Sequence, residues 1–392
     1  MPLNLAYEKK LISILEKCKF GEINVKTPQG HVHKIKSDCP GVVADLDIKD
    51  WRTVAESVLF GDIGFDEAYM KNYWSSSDIV ALMRYFAQNN SYIRNVSAGN
   101  RIFRLVVHLL SLKNKNTIKG SRRNIIKHYD LGNDFYSLWL DTSMTYSSAL
   151  YKNSDESLEL AQLNKYKRIL SQFNTGAKNV LEIGCGWGGF AEYAGQSGFE
   201  VDALTISPAQ AGFAAERIQQ SKLENVNIKI QDYRNVNGVY DAICSIEMFE
   251  AVGLEYWPKY FNQVKRLLSE KGKAVIQSIV INTDTFERYA NKKDFLNKHI
   301  FPGGILPTQE NFKSIARKSG LKVVDEFNFG QCYARTTRTW LENFNCVLPD
   351  VKKLGFDDVF IRKWQFYLAA CSGFFKEGNN DVVQFTLQHE NS

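Results

Sequence analysis

The stretch VLEIGCGWGGF, Val180 to Phe190, decides how this chain is read. An apolar run closes on Glu182, turns through Gly184, Gly186 and Gly188, and passes into a helical pattern. That is a strand, a tight turn and a helix start, with glycines that let a ligand approach the backbone and an acid that accepts hydrogen bonds from amino or hydroxyl groups. On either side, apolar strands alternate with amphipathic helices. Strands are expected near 179–183, 199–204, 226–230, 240–245, 272–280 and 321–328, with a last one near 381–388. The alternation predicts an α/β domain with a mostly parallel seven-stranded sheet covered on both faces, its final edge strand antiparallel.

Toward the N-terminus the pattern changes. Leu11, Ile12, Ile14 and Leu15 form an apolar stripe over residues 8–18 and predict a helix, and EINVKT and HVHKIK around Thr27-Pro28-Gln29-Gly30 predict a hairpin. His31 and His33 share one strand face, but a metal needs further ligands that the sequence does not supply, so no metal is expected. Short helices are expected at 50–58, 66–69 and 77–88, each entered from a capping Asp or Ser. These elements read as a smaller N-terminal α+β domain, residues 1–115. The polar KNKNTIKGSRR, Lys113 to Arg123, reads as a linker, and residues 116–392 as the larger domain.

Composition narrows the class. The 392 residues are 44% hydrophobic, enough for a substantial core, and no window approaches the roughly 20 apolar residues of a membrane span. MPLNLAYEKK lacks the zones of a secretory signal, so a cytoplasmic protein is expected. The seven cysteines show no CxxC pair and read as reduced, mostly buried thiols. The net charge of +6 is unevenly spread. From Ile79 to Tyr129 there is no acid, whereas Arg84, Arg94, Arg101, Arg104, Lys113, Lys115, Lys119, Arg122, Arg123 and Lys127 are basic. Such a block reads either as a solvated face or as an attractor of anionic headgroups or nucleic acid. Within it, YIRNVSAGNRIFRLVVHLLSL has the pattern of a basic amphipathic helix suited to a membrane surface or to packing.

A glycine turn alone does not separate nicotinamide dehydrogenases from methyltransferases. Glu182 directly before the turn would repel a pyrophosphate but tolerate a cationic sulfonium ligand, which favours S-adenosylmethionine. In QDYRN, Gln231 to Asn235, an acid and an aromatic can meet an adenine's amino group and ring face. Glu200 and Asp202 keep the dehydrogenase reading open, since a ribose-binding acid could sit near the second strand.

HYDLGNDFY (His128 to Tyr136), MTYSSALY (Met144 to Tyr151), LEIGCGWGGF, LTISPAQ (Leu204 to Gln210), QDYRN, EMFEAVG (Glu247 to Gly253) and IFPGGILP (Ile300 to Pro307) occur in that order. Together they resemble the cyclopropane-fatty-acyl-phospholipid synthase family, which includes the mycolic acid cyclopropane synthases. The likeness spans roughly residues 120–392 and extends more weakly to GDIGFDEAYMKNYW, Gly61 to Trp74. It implies a Rossmann-like class I methyltransferase that uses S-adenosylmethionine and acts on a cis double bond of an unsaturated phospholipid acyl chain to give a cyclopropane. Implied cofactor contacts are Tyr146 and Ser147 near the methionine carboxylate, Glu182, Gly184, Gly186 and Gly188 at the turn, Thr205, Ile206 and Gln210 around the ribose, and Asp232 and Tyr233 toward adenine. The likeness also implies a homodimer, and a phospholipid substrate together with the acid-free basic block predicts a peripheral place on the inner face of an anionic membrane. Nucleic acid is not expected as a partner, since no Asn/Asp-Pro-Pro-aromatic motif is present. His128 is expected to brace the neighbouring segment.

An alkene is a weak nucleophile, so catalysis must align it with the methyl and exclude water. A base must then remove a proton. The resemblance implies a bound bicarbonate held by a cysteine, a glutamate, a histidine, a backbone group at an isoleucine and a tyrosine. Here Glu250, Ile279 and Tyr333 match, but Ser148 and Gln277 stand in place of the cysteine and the histidine, and Ala251 makes EAVG of EHVG. Ser and Gln can hydrogen-bond an anion but supply no imidazolium. Glu250 is the alternative base. Where the proton leaves decides between a ring and a methylene-branched chain, so C-methylation without ring closure stands beside cyclopropanation. A noncatalytic lipid-binding protein is the rival of another class.

Overall fold

The computed structural model describes residues 3–93, 131–291 and 294–391. Of the sequence-derived expectations, His128, Tyr129, the amphipathic segment beyond Ile93, the linker and all of the basic residues of the block except Arg84 lie outside the described residues. The chain divides into two compact units. One comprises Met1–Lys113, Lys292–Ile300 and Ala334–Asn379, the other Asn114–Asn291, Phe301–Tyr333 and Asn380–Ser392.

The first unit holds a four-stranded sheet of order β2-β1-β3-β4. Strands β1 (Phe20–Lys26) and β2 (Val32–Lys36) form the expected antiparallel hairpin, in register Val25 with His33. Strand β3 (Cys39–Ile48) adds parallel to β1, and the short β4 (Trp74–Ser75) closes on β3. The sequence did not announce β3, because its Cys39-Pro40-Gly41 start reads as a turn. Helices follow at Arg52–Phe60, Asp62–Met70 and Ile79–Gln88. The last has the expected side-chain cap, with Asp78 accepting from the amides of Val80 and Ala81. In the first, Asp50 Oδ1 accepts from the Arg52 amide at 2.8 Å, one residue ahead of Trp51, whereas the second starts at Gly61 without a capping side chain. The apolar face of Ile79–Gln88 packs on Asp358–Lys376, where Gly373 lets the two backbones meet. Arg84 is committed within this unit to an ion pair with Glu377 at 2.6 Å. Glu8 hydrogen-bonds both His33 Nε2 at 2.7 Å and His31 Nδ1 at 3.0 Å, bringing to the histidine pair an acid that sequence spacing had not suggested.

The second unit is the α/β domain. Its sheet runs β10-β11-β9-β8-β5-β6-β7. In chain order the strands are β5 (Asn179–Ile183), β6 (Glu200–Thr205), β7 (Val226–Ile230), β8 (Tyr240–Ile246), β9 (Leu268–Ile281), β10 (Leu321–Asn328) and β11 (Asn380–His389). Strands β5 to β9 pair in parallel, and β11 is antiparallel to both its neighbours. All seven strands fall where the apolar runs placed them. The last corrects the expectation in one respect: β11 lies inside the sheet between β9 and β10, not at its edge. Burial explains this, since Val382, Val383, Phe385 and Leu387 have no exposed surface and a strand covered on both faces belongs in the interior.

One sheet face packs Tyr166, Ile169, Phe190, Ala194 and Ile218 from the helices Leu158–Gln172, Gly189–Gln196 and Pro208–Gln220. The other packs Trp257, Tyr260, Phe261 and Phe312, with Phe312 stacked on Phe385 at 4.0 Å. None of the cysteines forms a disulfide; three are buried, three half-buried and Cys346 is exposed. No helix among the described residues is long and apolar enough to cross a membrane.

Candidate cofactor and catalytic site

The site lies at the carboxyl ends of β5, β6, β7, β8 and β9, the edge at which parallel sheets take ligands. At the end of β5 the amides of Gly184 and Cys185 both donate to Leu204 O, tying the turn to β6. Gly184 has φ +87°, and a Cβ there would lie 2.9 Å from Met248 Cγ. Gly186 has φ +52° and opens on space, with no described atom within 4 Å of a Cβ. Gly188 is the N-cap of Gly189–Gln196. Glu182 is buried beneath the turn and its Oε2 has no hydrogen-bond partner among the described residues. Burial lifts its carboxyl to about 8, against the pull of the Lys165 charge. A glycine cradle above an unpartnered buried carboxyl fits a ligand that brings a positive charge.

At the end of β6, Thr205 Oγ1 donates to Gln210 Oε1 at 3.0 Å and accepts from the Ser207 amide, while Ile206 is half-buried between them. Ser207 caps Pro208–Gln220, which fixes Gln210 in its first turn. Beyond β7, Asp232 caps the short 3-10 turn Tyr233–Asn235 and forms an ion pair with Arg234 at 2.6 Å. Tyr233 packs edge-on against Tyr260 at 5.4 Å. Asp232 is therefore already paired, which the sequence did not indicate, although each carboxylate oxygen has more than one lone pair to offer.

Tyr146 joins Tyr136 and Trp139 in an aromatic cluster, and Trp187 of the glycine turn packs on Tyr136 at 4.9 Å. Ser147 is engaged from below: Lys165 Nζ donates to its Oγ at 2.6 Å, and Gln162 Nε2 donates to its carbonyl at 3.0 Å. Lys165 is fully buried and also donates to Gln162 Oε1 at 2.6 Å. Burial lowers its ammonium to about 8, opposed first by Glu247.

The five expected catalytic groups sort into two clusters. Ile279 N and Ser278 Oγ donate to Glu250 Oε1, while Glu250 Oε2 is buried without a partner among the described residues. Burial, and then the charge of Glu247, raise the Glu250 carboxyl to about 8. The Ser148 amide at 2.9 Å, Gln277 Nε2 at 2.7 Å and the Tyr333 hydroxyl instead serve Glu247. Burial also raises Glu247, against the Lys165 charge and these three donors. Of the groups implied to hold bicarbonate, the Gln277 amide, the Tyr333 hydroxyl and the Ile279 amide are thus spent on the chain's own carboxylates and the Ser148 hydroxyl on Ala149 O at 3.1 Å, so the residues present do not fit that anion.

Three side chains of this cluster escaped sequence reasoning. Glu247 opens EMFEAVG but only its contacts distinguish it. Lys165 and Gln162 look like ordinary polar helix residues, and only their burial reveals a role. Met248 connects the two halves of the site, because it sits between Glu247 and Glu250 and packs on Gly184.

The chain is also similar to known proteins. The family model described as mycolic acid cyclopropane synthetase matches residues 116–385. A tuberculostearic acid methyltransferase of Mycobacterium tuberculosis is 34% identical over 341 residues, 84% of this chain and 79% of its own. A cyclopropane-fatty-acyl-phospholipid synthase of Escherichia coli K12 is 34% identical over 346 residues, 85% of each chain. Among solved structures, a mycolic acid cyclopropane synthase complexed with SAH and CTAB superposes with a TM-score of 0.64 at 28% identity, covering 68% of this chain and 98% of its own.

Proposed function

We propose, from the premise that the chain belongs to the mycolic acid cyclopropane synthetase family and is an S-adenosylmethionine-dependent methyltransferase, that it acts on the cis double bond of an unsaturated phospholipid acyl chain and forms a cyclopropane. The observation that carries this reading is the contact of Met248 with Gly184, which sets the Glu247–Glu250 carboxyl pair beside the cofactor turn. Bound S-adenosylmethionine supplies an electrophilic methyl. Gly184, Gly186 and Gly188 cradle the cofactor, and Glu182 faces its positive charge. Tyr146 and Ser147 serve its methionine end, Thr205, Ile206 and Gln210 the ribose, and Asp232 and Tyr233 the adenine.

The remaining chemistry falls to the chain. The alkene's electron pair takes the methyl, leaving a carbocation on the neighbouring carbon. A carboxylate of the Glu247–Glu250 pair then takes a proton from the new methyl, and the C–H electron pair closes the ring. Ser148, Gln277, Ile279 and Tyr333 hold those carboxyls in place. General-base help of this kind contributes about 10²- to 10⁴-fold.

A second product is supported by the tuberculostearic acid methyltransferase at 34% identity. If a hydride migrates from the methylated carbon to the cation, the same base takes a proton from the methyl and the C–H electron pair forms a methylene branch on the open chain. Incubation with S-adenosylmethionine and vesicles of unsaturated phospholipid, followed by mass spectrometry and NMR of the acyl chains, separates the two. Cyclopropyl protons support the first reading and exomethylene protons the second. No transfer to any lipid overturns both and returns the lipid-binding alternative.

The acid-free stretch from Ile79 to Tyr129 supports docking on anionic headgroups. Sedimentation with anionic vesicles should be strong at low salt and weak at high salt. Equal binding to neutral vesicles would count against it.

A further inference from the structure

We propose that Glu247 supplies, as part of the chain, the carboxylate that the family resemblance assigns to bicarbonate, and that it is the proton acceptor of the reaction. The proposal rests on the lipid-methylating function above and names the base within it.

The donor geometry carries it. A bicarbonate would need groups at positions 148, 277 and 333; the Ser148 backbone amide, the Gln277 side chain and the Tyr333 hydroxyl all hydrogen-bond Glu247, and the Ser148 hydroxyl is turned to Ala149 O. The orientation of Gln277, which distance alone leaves ambiguous, is fixed from the far side. Arg168 can only donate, and its Nη1 meets Gln384 Oε1 at 2.9 Å. That turns the Gln384 amide nitrogen onto Gln277 Oε1 at 3.0 Å, across the β9–β11 rung that pairs these two residues. Gln277 must then present its own nitrogen to Glu247. Asp325, bonded to Arg168 Nη2, anchors the other end of the relay. A histidine is replaced by an amide locked as a donor, and a locked donor requires an acceptor opposite it.

The backbone gives an independent sign. Glu247 has φ +49°, in the left-handed region that favours glycine, and its amide is held by Gln277 O at 2.8 Å. A carboxylate is therefore kept at a position whose backbone would suit a residue with no side chain, and strained positions of this kind gather at functional sites.

Charge then assigns roles within the pair. Two neighbouring carboxyls in a desolvated site cannot both ionise cheaply. Glu247 has three donors and the Lys165 ammonium in its favour, so it carries the charge. Glu250 accepts from two donors on one oxygen, its other oxygen has no partner among the described residues, and it keeps the proton. A bicarbonate would bring a further negative charge where, among the described residues, these donors are already engaged. In the step itself, the S–CH3 bond breaks as the alkene bonds the methyl, one methyl C–H bond breaks, its electron pair forms the ring bond, and the proton goes to Glu247.

The test compares wild type with Glu247→Gly, which suits the backbone and empties the site. Calorimetry with S-adenosylhomocysteine first establishes that the variant is folded, and Glu247→Ala, which also empties the site, serves if it is not. Titration with 13C-bicarbonate followed by NMR should show no binding to wild type and millimolar binding to Glu247→Gly. Methyl transfer by wild type should be equal in CO2-free and bicarbonate-containing buffer. Transfer by Glu247→Gly should fall by about 10²-fold or more without bicarbonate and recover in part when it is added. Bicarbonate binding to wild type, or full activity of Glu247→Gly in CO2-free buffer, overturns the proposal. Should wild type methylate no lipid, the functional reading fails, while the bicarbonate titration still decides whether Glu247 fills the anion site.

Discussion

At the scale of single residues, the site depends on one buried cation between acids. Lys165 faces Glu247 and Glu182, both raised by burial and both drawn down by its charge. Lys165→Met should therefore lift the Glu247 carboxyl further, so that less of it is ionised at neutral pH. Methyl transfer should fall at pH 7 and partly recover as the pH is raised, and a pH profile of kcat/KM reads this as an acid limb moved upward. A loss equal at every pH would instead mean that only packing was damaged. The residue scale is also where the sequence was least legible. Glu250 stood out as a loop acid after a strand, whereas Lys165 shares its helix with Lys167 and Arg168, and only three-dimensional burial tells it from them. Glu247 was visible as a letter within a motif, but its role depends on which donors turn toward it.

Among elements, the glycine turn and the helix caps give the clearest expectations. Gly184→Ala forces a side chain onto a left-handed backbone and into Met248, at a cost of about 1–3 kcal/mol. Because Met248 lies between Glu247 and Glu250, both cofactor affinity and transfer should drop. Calorimetry with S-adenosylhomocysteine should show at least a several-fold weaker Kd. In the first unit, Asp78→Ala removes the cap of Ile79–Gln88 and should lower stability by about 1 kcal/mol in urea unfolding, with methyl transfer by the surviving folded protein unchanged. Element positions were legible because apolar runs of strand length alternate with amphipathic helices. Strand neighbours were not, since a run such as Val382 to Leu387 announces burial without saying what lies beside it. The missed β3 and the helix that starts at Gly61 without a capping side chain have the same origin: local signals are weak where tertiary packing decides.

For the whole molecule, the buried acids set the response to pH. Glu182 and Glu250 are each raised to about 8, so between their ordinary range and pH 8 the folded protein holds protons that the unfolded chain has released. Stability gained from them is greatest below the unfolded carboxyl range and is lost as pH rises toward 8. Lys165, lowered to about 8, acts with the opposite slope between 8 and its ordinary value. The melting temperature should thus decline from pH 5.5 to 8 and turn upward above it as Lys165 titrates. Glu182→Gln should flatten the decline in scanning calorimetry, and an unchanged slope would count against the burial of that carboxyl. At this scale the α/β class and its cofactor turn were readable from the alternation of elements alone. Which distant segments return to which compact unit was not, because sequence order carries no signal for it.

The insertion of β11 between β9 and β10 has a consequence for biosynthesis. Gln277 waits 107 residues for Gln384, so when β9 emerges from the ribosome its outer edge has no partner and its relay to Arg168 is broken. The nascent sheet must stay open, with an apolar strand edge exposed, until β11 threads in. Chaperone protection during that interval, and methyltransferase activity that appears only after β11 has been released, are the outcomes to expect when stalled chains of increasing length are compared.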